Sequence, residues 1–190
     1  MRIIISESQY RILKESKNKK AILALIEERG LLGASEFLGI PIYELIDMGL
    51  IESYDGDLNL TYTPIESLGN LKYVGGNLNL RNTDIKTLGS LEEVGGELLL
   101  NNIPIKSLGN LKSVGDNLNL RYTPIKSLGN LKSVGGYLDL HDTIIESLGN
   151  LEYVGGYLSL RKTLLGERLK SKMSEDEIKN KFGIKGHLYI

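Results

Sequence analysis

Leu78-Asn79-Leu80-Arg81-Asn82-Thr83-Asp84-Ile85-Lys86-Thr87-Leu88-Gly89-Ser90-Leu91-Glu92-Glu93-Val94-Gly95-Gly96-Glu97 is followed at once by Leu98-Leu99-Leu100, where the pattern starts again. The Leu-x-Leu triplet also stands at Leu58-Asn59-Leu60, Leu118-Asn119-Leu120, Leu138-Asp139-Leu140 and Leu158-Ser159-Leu160, each 20 residues from the next. A period of this length, kept in phase through six triplets, predicts a solenoid whose coils stack and share one core. The unit reads L-x-L-x-x-T-x-I-x-S-L-G-N-L-x-x-V-G-G-x.

Each triplet suits a short strand with both leucines inward and the middle residue outward, paired in parallel about 4.8 Å from its neighbours. Thr63, Thr83, Thr123, Thr143 and Thr163 fall where the chain leaves the strand, and their hydroxyls can satisfy the turning backbone. Ile103 interrupts that ladder. Ile65, Leu68, Leu71 and Val74, with their equivalents, complete an interior of about six aliphatic side chains per coil, worth roughly 1.5–3 kcal/mol each when covered on both sides. Glycines at 69, 89, 109, 129 and 149, and the pairs 75–76, 95–96, 135–136 and 155–156, are expected at corners of positive φ. Asp116, in place of one glycine, is expected to take the same left-handed conformation.

The stretch Leu78-x-Leu80-x-x-Thr83-x-Ile85-x-x-Leu88 resembles a leucine-rich repeat, with Thr where that family most often has Asn or Cys. Gly69-Asn70-Leu71-Lys72-Tyr73-Val74-Gly75-Gly76-Asn77-Leu78 resembles the receptor L-domain variety. The resemblance implies a parallel-strand solenoid over about 57–163, with extended or 3₁₀ backbone opposite the strands. It says little about function, because the fold serves many binders. Ile5-Ser6-Glu7-Ser8-Gln9-Tyr10, with the repeat, is similar to small proteins of tailed bacteriophages, which implies origin and not activity.

The expected fold is therefore α+β, in three parts: a helical cap over 1–54, the solenoid over 55–163 and a helix-plus-strand cap over 164–190. In the first part, helices are expected at Ser8–Lys14, Lys20–Arg29, Ala34–Leu38 and Pro41–Met48, with Gly30 and Gly39 as breaks. Residues 26–48 resemble a helix-turn-helix. Residues 1–54, however, hold seven Lys/Arg against eight Asp/Glu, and Glu44 and Asp47 lie on the would-be recognition helix. DNA docking needs clustered cations, so a cap is the expectation and nucleic acid is not an expected partner. In the third part, Ser174 and Glu177 form a capping box for a helix ending near Phe182, stopped by Gly183. Leu188-Tyr189-Ile190 then repeats the strand signal, 30 residues after Leu158.

Composition narrows the function classes. The net charge is -1, so no global field recruits nucleic acid or acidic membrane. There is no cysteine, which removes disulfides, thiolate zinc sites and cysteine nucleophiles. No apolar run reaches the ~18 residues a membrane span needs. The start is too short in apolar residues for a signal peptide. A cytoplasmic protein is expected, in a host's cytoplasm if phage-encoded.

No catalytic constellation emerges, and neither a cofactor nor a metal is expected. His141, between Asp139 and Asp142, could act as a general base, but a variable surface position is the simpler reading. The Gly-Gly pairs lack the Lys-Ser/Thr of a phosphate loop. A stripe of Lys86, Lys106 and Lys126, with Lys112 and Lys132 nearby, is expected to repel itself and to serve as a solvated face.

The outward strand positions are more informative. An Asn-rich zone gives way to Tyr, His and Arg, the residue types enriched in interface hot spots. Arg81, Arg121, Tyr122, Tyr137, Asp139, His141, Tyr157 and Arg161 are the candidate partner-binding residues. The expected function is non-enzymatic protein binding by a monomer. Self-association in a virion-associated structure and DNA binding through residues 26–48 are the alternatives.

Overall fold

The computed structural model describes residues 19–190. The apolar start, the Ile5–Tyr10 motif and the helix expected at Ser8–Lys14 lie outside these residues. The chain is a parallel-strand β-solenoid of 20-residue coils, flanked by helices at both ends.

Each coil contributes one two-residue strand to each of two sheets. The Leu-x-Leu strands β2 (Leu58–Asn59), β4 (Leu78–Asn79), β6 (Leu98–Leu99), β8 (Leu118–Asn119), β10 (Leu138–Asp139) and β12 (Leu158–Ser159) join β13 (Leu188–Tyr189) in a seven-stranded parallel sheet. Leucine pairs with leucine at every step, Leu138 with Leu118 and with Leu158. The second sheet is six-stranded and runs from β1 (Ser53–Tyr54) through β3 (Tyr73–Val74), β5 (Glu93–Val94), β7 (Ser113–Val114) and β9 (Ser133–Val134) to β11 (Tyr153–Val154). Of the extended or 3₁₀ backbone expected on this side, the extended form is present, organised as a full ladder.

The inward residues are those the period predicts. Leu78, Leu80, Ile85, Leu88, Leu91 and Val94 of one coil are completely buried, as are most of their equivalents. Polar ladders close the corners. Thr63, Thr83, Thr123, Thr143 and Thr163 each donate Oγ1–H to the carbonyl of the second leucine, 2.7–2.8 Å away. Ser67, Thr87, Ser107, Ser127 and Ser147 accept the N–H of the glycine two residues on. That hydrogen bond explains the Ser-Leu-Gly of the unit.

Two corner expectations need correction. Gly69 and its equivalents do adopt positive φ, but the Val-Gly-Gly pairs and Asp116 do not. The first glycine of each pair is required by proximity: a Cβ on Gly95 or Gly135 would strike the carbonyl oxygen of Gly75 or Gly115 in the coil below. The second left-handed position lies elsewhere, at Tyr62, Asn82, Asn102, Tyr122, Asp142 and Lys162, with φ of 55–60°. Asn and Asp tolerate this conformation; tyrosine and lysine are strained in it.

The ends are covered by helices. Helix α1 (Lys19–Leu38) breaks at Gly30, where φ is 73°, and α2 (Ile42–Asp47) follows a turn at Gly39. Ile22, Ala34, Leu38, Leu45 and Ile46 are fully buried in a core continuous with the coils. Asn70 Nδ2 donates to the Gly49 carbonyl at 3.0 Å, tying the first coil to the cap. At the other end Thr163 turns its ladder hydroxyl into an N-cap, accepting Gly166 N–H at 3.0 Å. Helix α3 (Leu164–Lys170) starts there, ahead of the expected helix α4 (Glu175–Lys181) with its capping box. The local sequence pattern predicts only α4. The strand β13 then pairs with β12, Leu188 beside Leu158 and Tyr189 beside Ser159.

The lysine stripe is not self-repelling throughout. Lys72, Lys86, Lys112, Lys126 and Lys162 each pair with a carboxylate one coil away, on Glu52, Glu66, Glu92, Glu146 and Asp142. These exposed pairs are screened by salt and add little. Among the described residues no helix is long and apolar enough to cross a membrane.

Two glycine substitutions separate the two kinds of corner. Gly135→Ala drives a methyl group into backbone and is expected to lose about 3 kcal/mol in urea unfolding. Gly129→Ala, with nothing within 4 Å of the added Cβ but a φ of 56°, should lose only about 1 kcal/mol. Equal losses would contradict this division.

Candidate functional surface

Most outward positions of the Leu-x-Leu sheet serve the repeat itself. Asn59, Asn79 and Asn119, in the middle of their strands, accept the backbone N–H two residues on at 3.1–3.2 Å. Asp57, Asn77 and Asn117, just before their strands, accept a backbone N–H from the next coil at 2.7–3.0 Å. In the coils that begin at Tyr137 and Tyr157 the asparagines give way to other residues, and there, with Arg121 and Tyr122 of the coil below, the candidate residues meet.

Tyr137 and Tyr157 replace Asn before their strands. Their rings stack with centroids 4.8 Å apart and planes within 4°. Tyr157 meets Tyr189 edge-on at 5.5 Å, and the Arg161 guanidinium lies over the Tyr189 ring at 4.6 Å. Tyr137 Oη donates to Glu97 Oε1 at 3.2 Å, two coils away, and Asn117 Nδ2 approaches the same oxygen at 3.4 Å. Burial, together with the nearby Glu97 carboxylate, pushes the Tyr137 phenol up to about 12. Burial and Asp139 likewise raise Tyr157.

Asp139 stands where other coils have Asn. Its Oδ1 does the usual work, accepting His141 N–H at 3.0 Å. Its second oxygen lies 3.6 Å from the Arg121 guanidinium, with only 9% of the side chain exposed. The exchange puts a nearly buried charge where other coils carry a less buried neutral amide, and Arg121 answers it. Arg121 also reaches Tyr122 Oη at 3.4 Å and lies over its ring at 5.4 Å. Tyr122 meets His141 edge-on at 5.9 Å, and His141 Nε2 sits 3.1 Å from Asp142.

Seven of the eight candidates therefore form one contiguous cluster. Arg81 does not join it; it lies two coils from Arg121, its Nε bonded to Asn79. Three members were not among the candidates: Glu97, Ser159 and Tyr189. Glu97 and Ser159 interrupt the Asn ladders, a signal that was legible. Tyr189 falls outside the 20-residue phase and reaches the cluster only through β13.

Asp139, His141 and Ser159 border one shallow hollow of about 310 Å³, together with Arg121, Tyr157, Arg161 and Tyr189. They are the residue types of an acyl-transfer triad, but they are not wired as one. Asp139 bonds the main chain of His141, and the ring Nε2 turns to Asp142. No group of three His, Asp or Glu among the described residues is arranged to hold a metal ion.

Set beside known protein families, curated proteins and solved structures, the chain matches none of them.

Tyr137 should be visible in alkaline titration. Its proton stays on in the folded chain above the ordinary tyrosine value of about 10, so the unfolded chain deprotonates first. The stability it contributes is complete below about pH 10 and fades as the pH rises towards about 12. Urea midpoints from pH 9 to 12, compared between the wild type and Tyr137→Phe, check this: the variant should fall less steeply.

Proposed function

We propose that the protein is a non-enzymatic interaction module whose Leu-x-Leu face, over its last coils, binds a protein partner. The observation that carries this reading is the departure from the repeat. Before their strands, Asn77 and Asn117 complete backbone hydrogen bonds with the next coil. Tyr137 and Tyr157 abandon that residue, and Tyr122, like Tyr62 in the first coil, stands in a left-handed conformation that disfavours tyrosine. Tyr122 remains half exposed despite its aromatic contacts. Residues that strain the scaffold while presenting aromatic and guanidinium surface are those expected of a binding hot spot.

The rest of the reading follows the sequence. The scaffold is proposed to be of the leucine-rich-repeat kind. The tailed-phage likeness is taken as origin. A cysteine-free chain suits a reducing compartment, so the proposed location is the cytoplasm, of the host if the origin is phage.

Returning the cluster to the repeat tests the proposal. Tyr122→Asn, Tyr137→Asn and Tyr157→Asn together install the residues found at Asn82, Asn77 and Asn117. The variant should still fold cooperatively, with its thermal midpoint recorded beside the wild type, since Asn suits the left-handed corner and, before a strand, accepts a backbone N–H from the next coil. Capture of partners from native host lysate, identified by mass spectrometry and re-measured with the purified partner, should weaken at least tenfold, as loss of hot-spot residues does. Undiminished affinity would remove the face from the function.

A further inference from the structure

The hollow among the last three coils has a donor and acceptor balance that selects its ligand. Arg121, His141 and Arg161 occupy the same position of three consecutive coils, so their side chains rise along the face in steps of about 4.8 Å. Two neighbouring carboxylates, Asp139 and Asp142, are already engaged, and Glu175 lies with Arg161 on a separate hollow. Asp139 holds His141 N–H and faces Arg121, while Asp142 faces both His141 and Lys162. Arg161 pairs with no carboxylate among the described residues; only its flat face is occupied, by the Tyr189 ring. A guanidinium backed by an aromatic ring keeps its N–H edge free in a fixed plane, suited to a two-point grip on a carboxylate. Tyr157, Ser159 and Tyr189 border the same space, and their hydroxyls make no hydrogen bond among the described residues. The hollow is thus rich in donors, and its one acidic side chain is taken.

We infer that the hollow receives the carboxylate of an Asp or Glu side chain from an extended segment of a protein partner, gripped by Arg161 and flanked by Tyr157 and Tyr189. This rests on the protein-binding reading above and gives the partner its chemistry.

Peptide display against the full chain tests it. A random heptapeptide library is selected on the wild-type protein and counter-selected on Arg161→Gln, an exposed position whose change leaves the core untouched. Recovered peptides should share one Asp or Glu. Exchange of that residue for Gln or Asn, or of Arg161 for Gln, should weaken binding about tenfold or more, and Arg161→Lys should recover only part of it. Inorganic phosphate at millimolar concentration should compete poorly. Neutral or basic peptides, peptides that ignore Arg161, an empty selection, or equal displacement by phosphate would each overturn the inference. If any of these occurs while the triple Asn variant still loses its captured partner, the protein-binding reading stands and only the carboxylate assignment falls.

Discussion

Backbone lies directly on backbone at each Val-Gly-Gly corner, and the rest of the molecule depends on that contact. Gly135 rests on the Gly115 carbonyl as Gly95 rests on that of Gly75, with no room for a side chain between. The approach sets the distance at which one coil meets the next. At that distance both strand ladders close, the threonine and serine hydroxyls reach their partners, and the leucines, isoleucines and valines of adjacent coils exclude water from each other. A single coil exposes both of its broad faces and would not hold together; stacking covers them, and helices close the two ends.

A scaffold so regular makes its exceptions readable. Where the outward residue is Asn, it can be seen serving the fold, by accepting a backbone N–H within its own coil or from the next. Where the residue is Tyr137, Asp139 or Tyr157, the fold gains less. Asp139 retains the amide's hydrogen bond but adds a nearly buried charge that needs Arg121. Tyr122 takes a backbone conformation that Asn102 fills with less strain. These exceptions are neighbours. They gather on one face and near one end; in the earlier coils the same positions hold mostly Asn or Asp, with Tyr62, Glu97 and Leu99 as the departures. The proposed interaction surface is thus defined by what it withholds from stability.

Charge on the other faces follows a different logic. Lysine and glutamate alternate in several places one coil apart, so that Lys72, Lys112 and Lys126 each stand against an acid in the adjacent coil. Reading the lysines alone suggested a repelling stripe. The carboxylates were equally visible in the sequence, but a pairing across coils depends on which neighbour a side chain turns towards. Arg161 differs in kind, since it meets an aromatic ring and, among the described residues, no carboxylate.

The sequence by itself determined the period, the inward residues and the breaks. Burial in a coil follows directly from a 20-residue phase and a two-residue strand alternation, and the Ser174–Glu177 capping box and the final strand are likewise local patterns. Glycine was legible as a corner residue, but not the reason for it: left-handed backbone at Gly69, crowding by the coil below at Gly95. The left-handed seat of Tyr122 carried no signal of its own, because only its tolerant equivalents, Asn82, Asn102 and Asp142, look like turn residues. The helices Leu164–Lys170 and Glu175–Lys181 shift the last strand out of phase, to 30 residues. Tertiary structure alone brings that strand back beside Leu158 and sets Tyr189 under Arg161. Contacts between coils are set by stacking distance and side-chain direction, and neither is written in any one repeat.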